Sequence, residues 1–319
     1  IEALNNNNDL HRVGQISITG DSLVSKIVIV KQSVSSVLNI NVKDAGTLST
    51  LLSTDQKSNV VSLILTGNID SRDFKTIRDE MPKLVELDLS NVTIKAYRND
   101  IEDAIPDEAF YFNSTYTGKT SLTKVVLPPT LKRIGRASFS NTGLVKIDIP
   151  NSVKIIDSDA FEDCISLQDF ILPEGVLKIG NETFSGCVRL KTVSIPQSVN
   201  EIGNGAFAFC FCLTTITIPS TVIAIGSEAF RLCKNLQTIF ANPVVPTNLS
   251  NSEYVFSGVN NGLCKLVVPA DSKALYQDAD KWKDFSNIIA SDFYLSEYEK
   301  NISPNGESIS FKINTDKKW

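Results

Sequence analysis

Cys164, Cys187, Cys210 and Cys233 recur every 23 residues, and thiols so regularly placed could hold a metal, pair as disulfides or pack as small apolar groups. Metal binding is disfavoured, because no Cys-x-x-Cys pair or Cys/His set with zinc spacing accompanies them. Phe161, Phe184, Phe207 and Phe230 keep the same interval, as do Pro150, Pro173, Pro196 and Pro219. A fixed period of this length marks stacked supersecondary units, each too small to bury its own apolar face. Equivalent residues of stacked units lie about 5 Å apart, so the four cysteines form a column. The expectation is a ladder of free, buried thiols, since unpaired cysteine packs as a small hydrophobe. Disulfides along the column also remain open, because that separation lies within disulfide range. Cys212 and Cys264 fall off the column.

Few other residues suggest catalysis. The one histidine, His11, is far in sequence from any candidate nucleophile, and neither a nucleophile elbow nor a glycine-rich phosphate loop is present. Asp100, Glu102, Asp103, Asp107 and Glu108 form an acidic group whose oxygens suit calcium, but without the spacing of a tight calcium loop. A solvated acidic loop is the expectation, with no catalytic, cofactor or metal residue assigned. Paired carboxylates for glycoside cleavage stay open, and would be unusual on a repeat scaffold. The net charge of −5 and the lack of a Lys/Arg run argue against a nucleic-acid surface. No apolar stretch approaches the roughly 18–20 residues needed to span a membrane. The chain opens at Ile1 without Met or an apolar leader, as expected of a mature or trimmed chain whose export signal has been removed.

The units align residue by residue. One runs Leu167, Phe170, Leu172, Pro173, Val176, Ile179, Gly180, Phe184, Cys187, and the next Leu190, Val193, Ile195, Pro196, Val199, Ile202, Gly203, Phe207, Cys210. A third begins at Leu213 and an earlier one at Leu144; the unit from Leu122 is a residue shorter in its last turn. Leu-x-x-apolar-x-apolar alternates with period two and predicts a short strand with one buried face, which proline then ends. Ile-Gly is expected to bend the chain through glycine's backbone freedom, with Phe and Cys filling the interior on the return. Strands at 60–65, 84–89, 236–239 and 263–268 extend the series to nine, with a helix over Phe74–Pro82 and an insertion at 95–120 that holds a partial unit from Ile105 to Phe110. Tyr276, Trp282 and Phe285 on the polar stretch 271–285 predict a terminal cap. The fold class is an α/β repeat, a leucine-rich-repeat solenoid with a parallel sheet on one face.

This motif resembles the BspA-like leucine-rich repeats of Bacteroidetes surface proteins. Val267-Val268-Pro269, Tyr276 and Trp282-Lys283-Asp284-Phe285 look like that family's terminal coil, and Gly67-Asn68-Ile69 through Leu87-Asp88-Leu89-Ser90 like its first. The resemblance covers about residues 45–290 and implies a secreted or surface-anchored, adhesin-like protein. Arg12 to Ile18 and Ile27 to Gln32 read as a hairpin around Gly20-Asp21. They resemble the last strands of a BACON domain, an immunoglobulin-like sandwich, while Pro304 to Asn314 resembles its opening strands. The organisation expected is therefore a β piece at 1–38, a capped solenoid at 39–290 and a β piece at 291–319, the flanks being small immunoglobulin-like segments. Two accounts of the reversed order stay open: a chain cut from an array of such modules, or an end strand that pairs with another molecule.

In each strand the residues between buried ones leave the sheet outward. Thr192, Ser194, Thr215, Thr217 and Thr238 then form a hydroxyl patch beside Phe240, which suits a glycan or an extended peptide. Threonine is also simply a good strand former. The leading expectation is a non-enzymatic protein of the cell surface, or secreted, binding host or neighbouring-cell surface proteins or glycans through this face. The alternative is a glycan-binding component of a polysaccharide-capture system, suggested by the BACON-like ends.

Overall fold

The computed structural model describes residues 37–112 and 114–291 with their side chains, and the backbone of four further strands: His11–Ile18, Lys26–Ser33, Tyr294–Glu297 and Lys312–Asn314. The chain between 37 and 291 is a parallel-stranded solenoid. Val37–Val42, Ser62–Ile69, Glu86–Ile94 and Lys124–Val126 pair in that order. Asp169–Ile171 pairs with Thr192–Ser194, and Thr215–Ile218, Thr238–Ala241, Lys265–Pro269 and Asn287–Ser291 complete the face. The alternation predicted for these strands is present, with Asp169–Ile171 running exposed, buried, exposed.

The expected strand at 144–149 does not form a ladder, although Leu144 and Ile147 are buried as the pattern requires. The coil feeding it has five positions from Phe139 to Leu144 where later coils have six from Phe to Leu. Lys146 would also stand beside Lys124, and like charges opposite one another destabilise a strand pair. It pairs instead with Asp148 on its own segment, at 3.0 Å. Conversely, Val37–Val42 and Asn287–Ser291 are sheet strands that the leucine spacing does not reveal.

A second set of parallel ladders runs along the stack. Ala104–Ile105, Arg133–Ile134 and Ile155–Ile156 form one, and Lys178–Ile179, Glu201–Ile202 and Ala224–Ile225 the other. The isoleucine of Ile-Gly therefore lies in a strand. The following glycine is needed for close approach rather than for unusual backbone angles. A Cβ on Gly203 would sit 2.7 Å from the Asn181 backbone nitrogen, and one on Gly226 would sit 2.5 Å from that of Asn204. The next residue stitches the coils together: Asn204 donates its N–H to Asn181 Oδ1, and Ser227 donates to Asn204 Oδ1, both at 2.9 Å.

The core is a spine of rings. Phe139, Phe161, Phe184, Phe207, Phe230 and Phe256 stack face to face with centroids 5.4–5.7 Å apart. Phe110 continues the stack at one end, 5.2 Å from Phe139, and meets Phe74 of the helix Ser71–Glu80. Trp282 and Phe285 close the other end against Phe256, both at 5.1 Å. Tyr276 and Trp282 are buried, and they donate to the carbonyls of Pro243 (2.8 Å) and Thr247 (2.9 Å). The predicted cap is therefore anchored by hydrogen bonds as well as by rings.

All six cysteines are free, and the four of the column are fully buried. Each column thiol donates to the phenylalanine carbonyl of the preceding coil: Cys164 to Phe139, Cys187 to Phe161, Cys210 to Phe184 and Cys233 to Phe207, at 3.1–3.2 Å. The carbonyl of Phe161 thus accepts from the Cys164 N–H within its coil and from the Cys187 thiol across coils. Burial pushes the Cys164 and Cys233 thiols up to about 12.

At the N-terminal end Asp73 is fully buried and accepts N–H bonds from Gly46 (2.6 Å), Leu48 (2.9 Å) and Asp70 (2.9 Å), tying the first turn to the helix. His11–Ile18 and Lys26–Ser33 pair antiparallel, as the hairpin reading requires, while its turn at Gly20-Asp21 lies outside the described residues. Tyr294–Glu297 pairs antiparallel with Lys312–Asn314. Most of the Pro304–Asn314 segment likened to an opening immunoglobulin-like strand also lies outside the described residues.

Two measurements check the core. Phe207→Ala should lower the unfolding free energy by about 3–5 kcal/mol in urea melts, the range for deleting a buried aromatic. Maleimide labelling followed by mass spectrometry should leave Cys164, Cys187, Cys210 and Cys233 unmodified until the protein is denatured, because the thiolate is the reacting form.

Candidate functional site

The outward residues of the main sheet fall into two columns. In the first, Asp169 pairs in register with Thr192, and in a separate ladder one repeat further on Thr215, Thr238, Lys265 and Asn287 are in register with one another. In the second, Ile171 stands beside Ser194, and Thr217, Phe240, Val267 and Ile289 follow. Strand alternation brings Thr192, Ser194, Thr215, Thr217, Thr238 and Phe240 to one side. Thr192 and Thr215 are exposed, and the other four are half-buried by their neighbours. The Thr192 hydroxyl donates to Asp169 Oδ1 at 2.6 Å, so it is already oriented along the column.

The face changes character along its length. Its first half carries opposite charges, with Lys124 3.6 Å from Glu86 and Lys146 paired to Asp148. Its second half is hydroxyl-bearing, bordered by an apolar run of Phe240, Val267 and Ile289. Ile289 was missed by the sequence reading because its strand, Asn287–Ser291, lacks the leucine spacing. The only signal was its place just after the aromatic cap.

The acidic insertion is organised by cations. Asp103 pairs with Lys132 (2.8 Å), Asp107 with Arg133 (2.8 Å), Glu108 with Arg136 (2.5 Å) and Glu102 with Lys95 (3.8 Å). Asp103, Asp107 and Glu108 join the partial coil of Ile105 to the coil that follows, while the Glu102–Lys95 pair stays within the insertion. Among the described residues, no group of three or more His, Cys, Asp or Glu is placed to hold a metal ion. Lys119 of the insertion is buried and donates to the Met81 carbonyl at the end of the helix Ser71–Glu80, and burial lowers its amine to about 8. His11 lies on a strand of which only the backbone is described.

A different acidic group emerges on the return side of the coils. Glu162 is half-buried, and its carboxyl is pushed up to about 7 by burial first, then by the nearby charges of Asp159, Asp163 and Glu182. Its Oε2 accepts only a long bond, 3.5 Å, from the Ser140 hydroxyl.

Comparison with known proteins places this scaffold. Residues 103–237 match the family model of the BspA type leucine rich repeat region in six copies, a stretch that begins at the coil of Ile105 and Phe110. No curated protein matches the chain. Among solved structures, a leucine-rich-repeat protein of T. pallidum is 25% identical over 58% of this chain and 68% of its own, with a TM-score of 0.37. A leucine-rich cell surface protein from Faecalibacterium prausnitzii is 20% identical, covering 90% and 78% of the two chains with a TM-score of 0.39. A leucine-rich repeat protein from Bacteroides ovatus is 21% identical, covering 89% and 76%, with a TM-score of 0.41. No helix among the described residues is long and apolar enough to cross a membrane.

The Glu162 carboxyl gives a pH test. In the folded protein it keeps its proton up to about pH 7, against an ordinary value of 4.5, so between these limits the folded state binds more protons than the unfolded one. Its contribution therefore falls as pH rises through that window, and the full penalty is present above it. Glu162→Gln should raise stability at pH 8 by about 1 kcal/mol, allowing for solvent screening of a half-exposed group. The gain should vanish near pH 4, as read from urea melts across pH.

Proposed function

Starting from a chain whose residues 103–237 are BspA-type leucine-rich repeats, we propose that it is a non-enzymatic recognition module of the cell surface or of the secreted fraction. It binds an extended ligand, a host or neighbouring-cell protein or a glycan strand, across the main sheet face. The observation that carries this reading is the pair of outward columns, registered within Asp169–Ile171 and Thr192–Ser194 and again from Thr215–Ile218 onward, and continued between the two ladders by the 23-residue spacing. Thr192, Thr215 and Thr238 form the hydroxyl row, and Ser194, Thr217 and Phe240 the row beside it. Parallel strands repeat such groups about every 4.8 Å, so a linear ligand lying across the strands meets the same donor and acceptor in coil after coil. Solenoid sheets are commonly used this way. A half-buried aromatic at one end supplies an anchor of the kind that dominates binding energies.

The polysaccharide-capture reading is a narrower form of the same proposal, and one feature favours it: hydroxyls with one adjacent aromatic face are what a sugar ring hydrogen-bonds to and stacks on. Arrays of immobilised glycans and of cell-surface protein ectodomains, probed with this protein, separate the two.

Replacing Thr192, Thr215 and Thr217 by Lys together with Phe240→Ala should abolish the array signals given by the parent. Circular dichroism spectra should keep the parent's shape, because these side chains point away from the packed Leu/Ile column, with a melting temperature lowered by the like charges at neighbouring positions 192 and 215. Unchanged array signals from the quadruple variant would remove the sheet face as the binding surface.

A further inference from the structure

Each of the six coils from Phe139 to Phe256 turns a corner between its buried phenylalanine and its next strand, and the corner residue has a left-handed backbone. Asn141 (φ 56°), Asp163 (52°), Gly186 (72°) and Gly258 (84°) occupy this place in four coils, with Phe209 (61°) and Leu232 (59°) in the two between Gly186 and Gly258. Asn, Asp and Gly tolerate this region, whereas a bulky apolar residue there is a genuine outlier. The two outliers are neighbours, since the Phe209 N–H donates to the Arg231 carbonyl of the next coil at 2.8 Å.

Phe211, two residues on, meets Phe209 edge to face at 6.3 Å. In the corresponding place, Val188 of the preceding coil is half-buried and Ile165 of the coil before that is 56% exposed. The corner therefore carries an apolar strip across three coils, and cations gather at its end. Lys234 Nζ stands 5.3 Å over the Phe211 ring, and the Arg231 guanidinium stands 5.6 Å over Phe209. Arg231 also pairs with Glu228 at 2.7 Å, while Lys234 is exposed.

We propose that the corner of Phe209, Phe211 and Leu232 is a second docking surface, distinct from the sheet face, for a partner protein whose apolar segment carries acidic residues. Phe209, Phe211 and Leu232 are half-buried, and Ile165 at the strip's far end is exposed. Aromatic and arginine side chains around an apolar centre are the composition of protein–protein hot spots, and apolar patches rimmed by polar groups mark interaction sites. The cations at the strip's end, on a chain of net charge −5, select a partner bearing carboxylates there. A glycan fits this corner less well, because the strip of Ile165, Val188 and Phe211 is apolar and one N–H of Asn235 beside it is already donated to the Phe211 carbonyl at 2.8 Å.

The test uses fluorescent peptides that intersperse Leu and Phe with Glu, the same peptides with Lys in place of Glu, and an oligogalacturonate. Anisotropy should show saturable binding of the Glu peptides alone. Lys234→Glu should weaken that binding about tenfold, or about 1.4 kcal/mol. Phe209→Gly should weaken it as well while the melting temperature holds or rises, because glycine is at ease at this φ. The variant altered at Thr192, Thr215, Thr217 and Phe240 should bind the Glu peptides as the parent does, which keeps this surface separable from the sheet face. Failure of any Glu peptide to bind, equal binding of the Lys peptides, or an unchanged affinity in both corner variants would overturn the proposal. So would oligogalacturonate binding that Phe209→Gly abolishes.

Discussion

Everything in this molecule depends on the fact that one coil cannot close its own core. A coil of 23 residues contributes one phenylalanine, one cysteine and a handful of aliphatic side chains, and each of them finds half its partners in the next coil. The phenylalanine carbonyl shows why. It faces the interior with two lone pairs, and an unpaired buried carbonyl is costly. The cysteine N–H of its own coil satisfies one lone pair and the thiol of the following coil the other. Small size, low polarity and one weak donor meet in cysteine at that position in four successive coils, while Thr142 and Val259 take it in the coils on either side. The same dependence explains the ends: Phe74 on a capped helix closes the first turn of the spine, and Trp282 and Phe285 close the last.

A stack of identical units also divides the surface into columns, and the columns separate side chains that hold neighbouring coils together from side chains that do not. Where a column repeats faithfully, as in the Asn181–Asn204–Ser227 stitch, it holds neighbouring coils together. Where a column drifts, the inter-coil requirement has been relaxed and the side chain is free to serve something else. The outward residues of the main sheet drift from charge pairs to hydroxyls to an apolar run, and the left-handed corner drifts from Asp and Gly to Phe and Leu. Both regions touch the same coils, because Phe211 stands four residues before Thr215 on one continuous turn.

The period made the architecture legible, because buried positions must recur when the coil recurs. Leu, Ile, Phe and Cys therefore announced the strand face, the spine and the thiol column from spacing alone. What stayed hidden is what does not need to recur. The short second ladders were read as a bend, since two residues of Ile-containing strand leave no alternation to detect, and Gly203 carries a steric reason, close backbone approach, that resembles a conformational one in sequence. Phe256 escaped the spine because its interval from Phe230 is 26 residues. The strand at Asn287–Ser291 sits beyond the cap, where no repeat predicts it. The hydroxyl columns were legible as outward positions, but the Asp169–Thr192 bond that orients one of them depends on a rotamer that spacing cannot supply.

The break at Lys146–Asp148 shows which interaction governs cooperativity. On the sheet side no ladder joins the segment around Ile147 to Lys124–Val126 or to Asp169–Ile171, which would isolate the two halves if strand pairing held the stack together. Yet across the same junction Phe139 and Phe161 stack at 5.4 Å with planes 1° apart, Arg133–Ile134 pairs with Ile155–Ile156, and the Cys164 thiol reaches the Phe139 carbonyl. Repeat stability is a sum of intrinsic and nearest-neighbour terms, and here the neighbour term is carried by the spine, the thiols and the second ladder. The main sheet can therefore lose a strand, or vary its outer residues from coil to coil, without uncoupling the halves. That independence is what frees the outer residues of this face from the demands of holding the stack together.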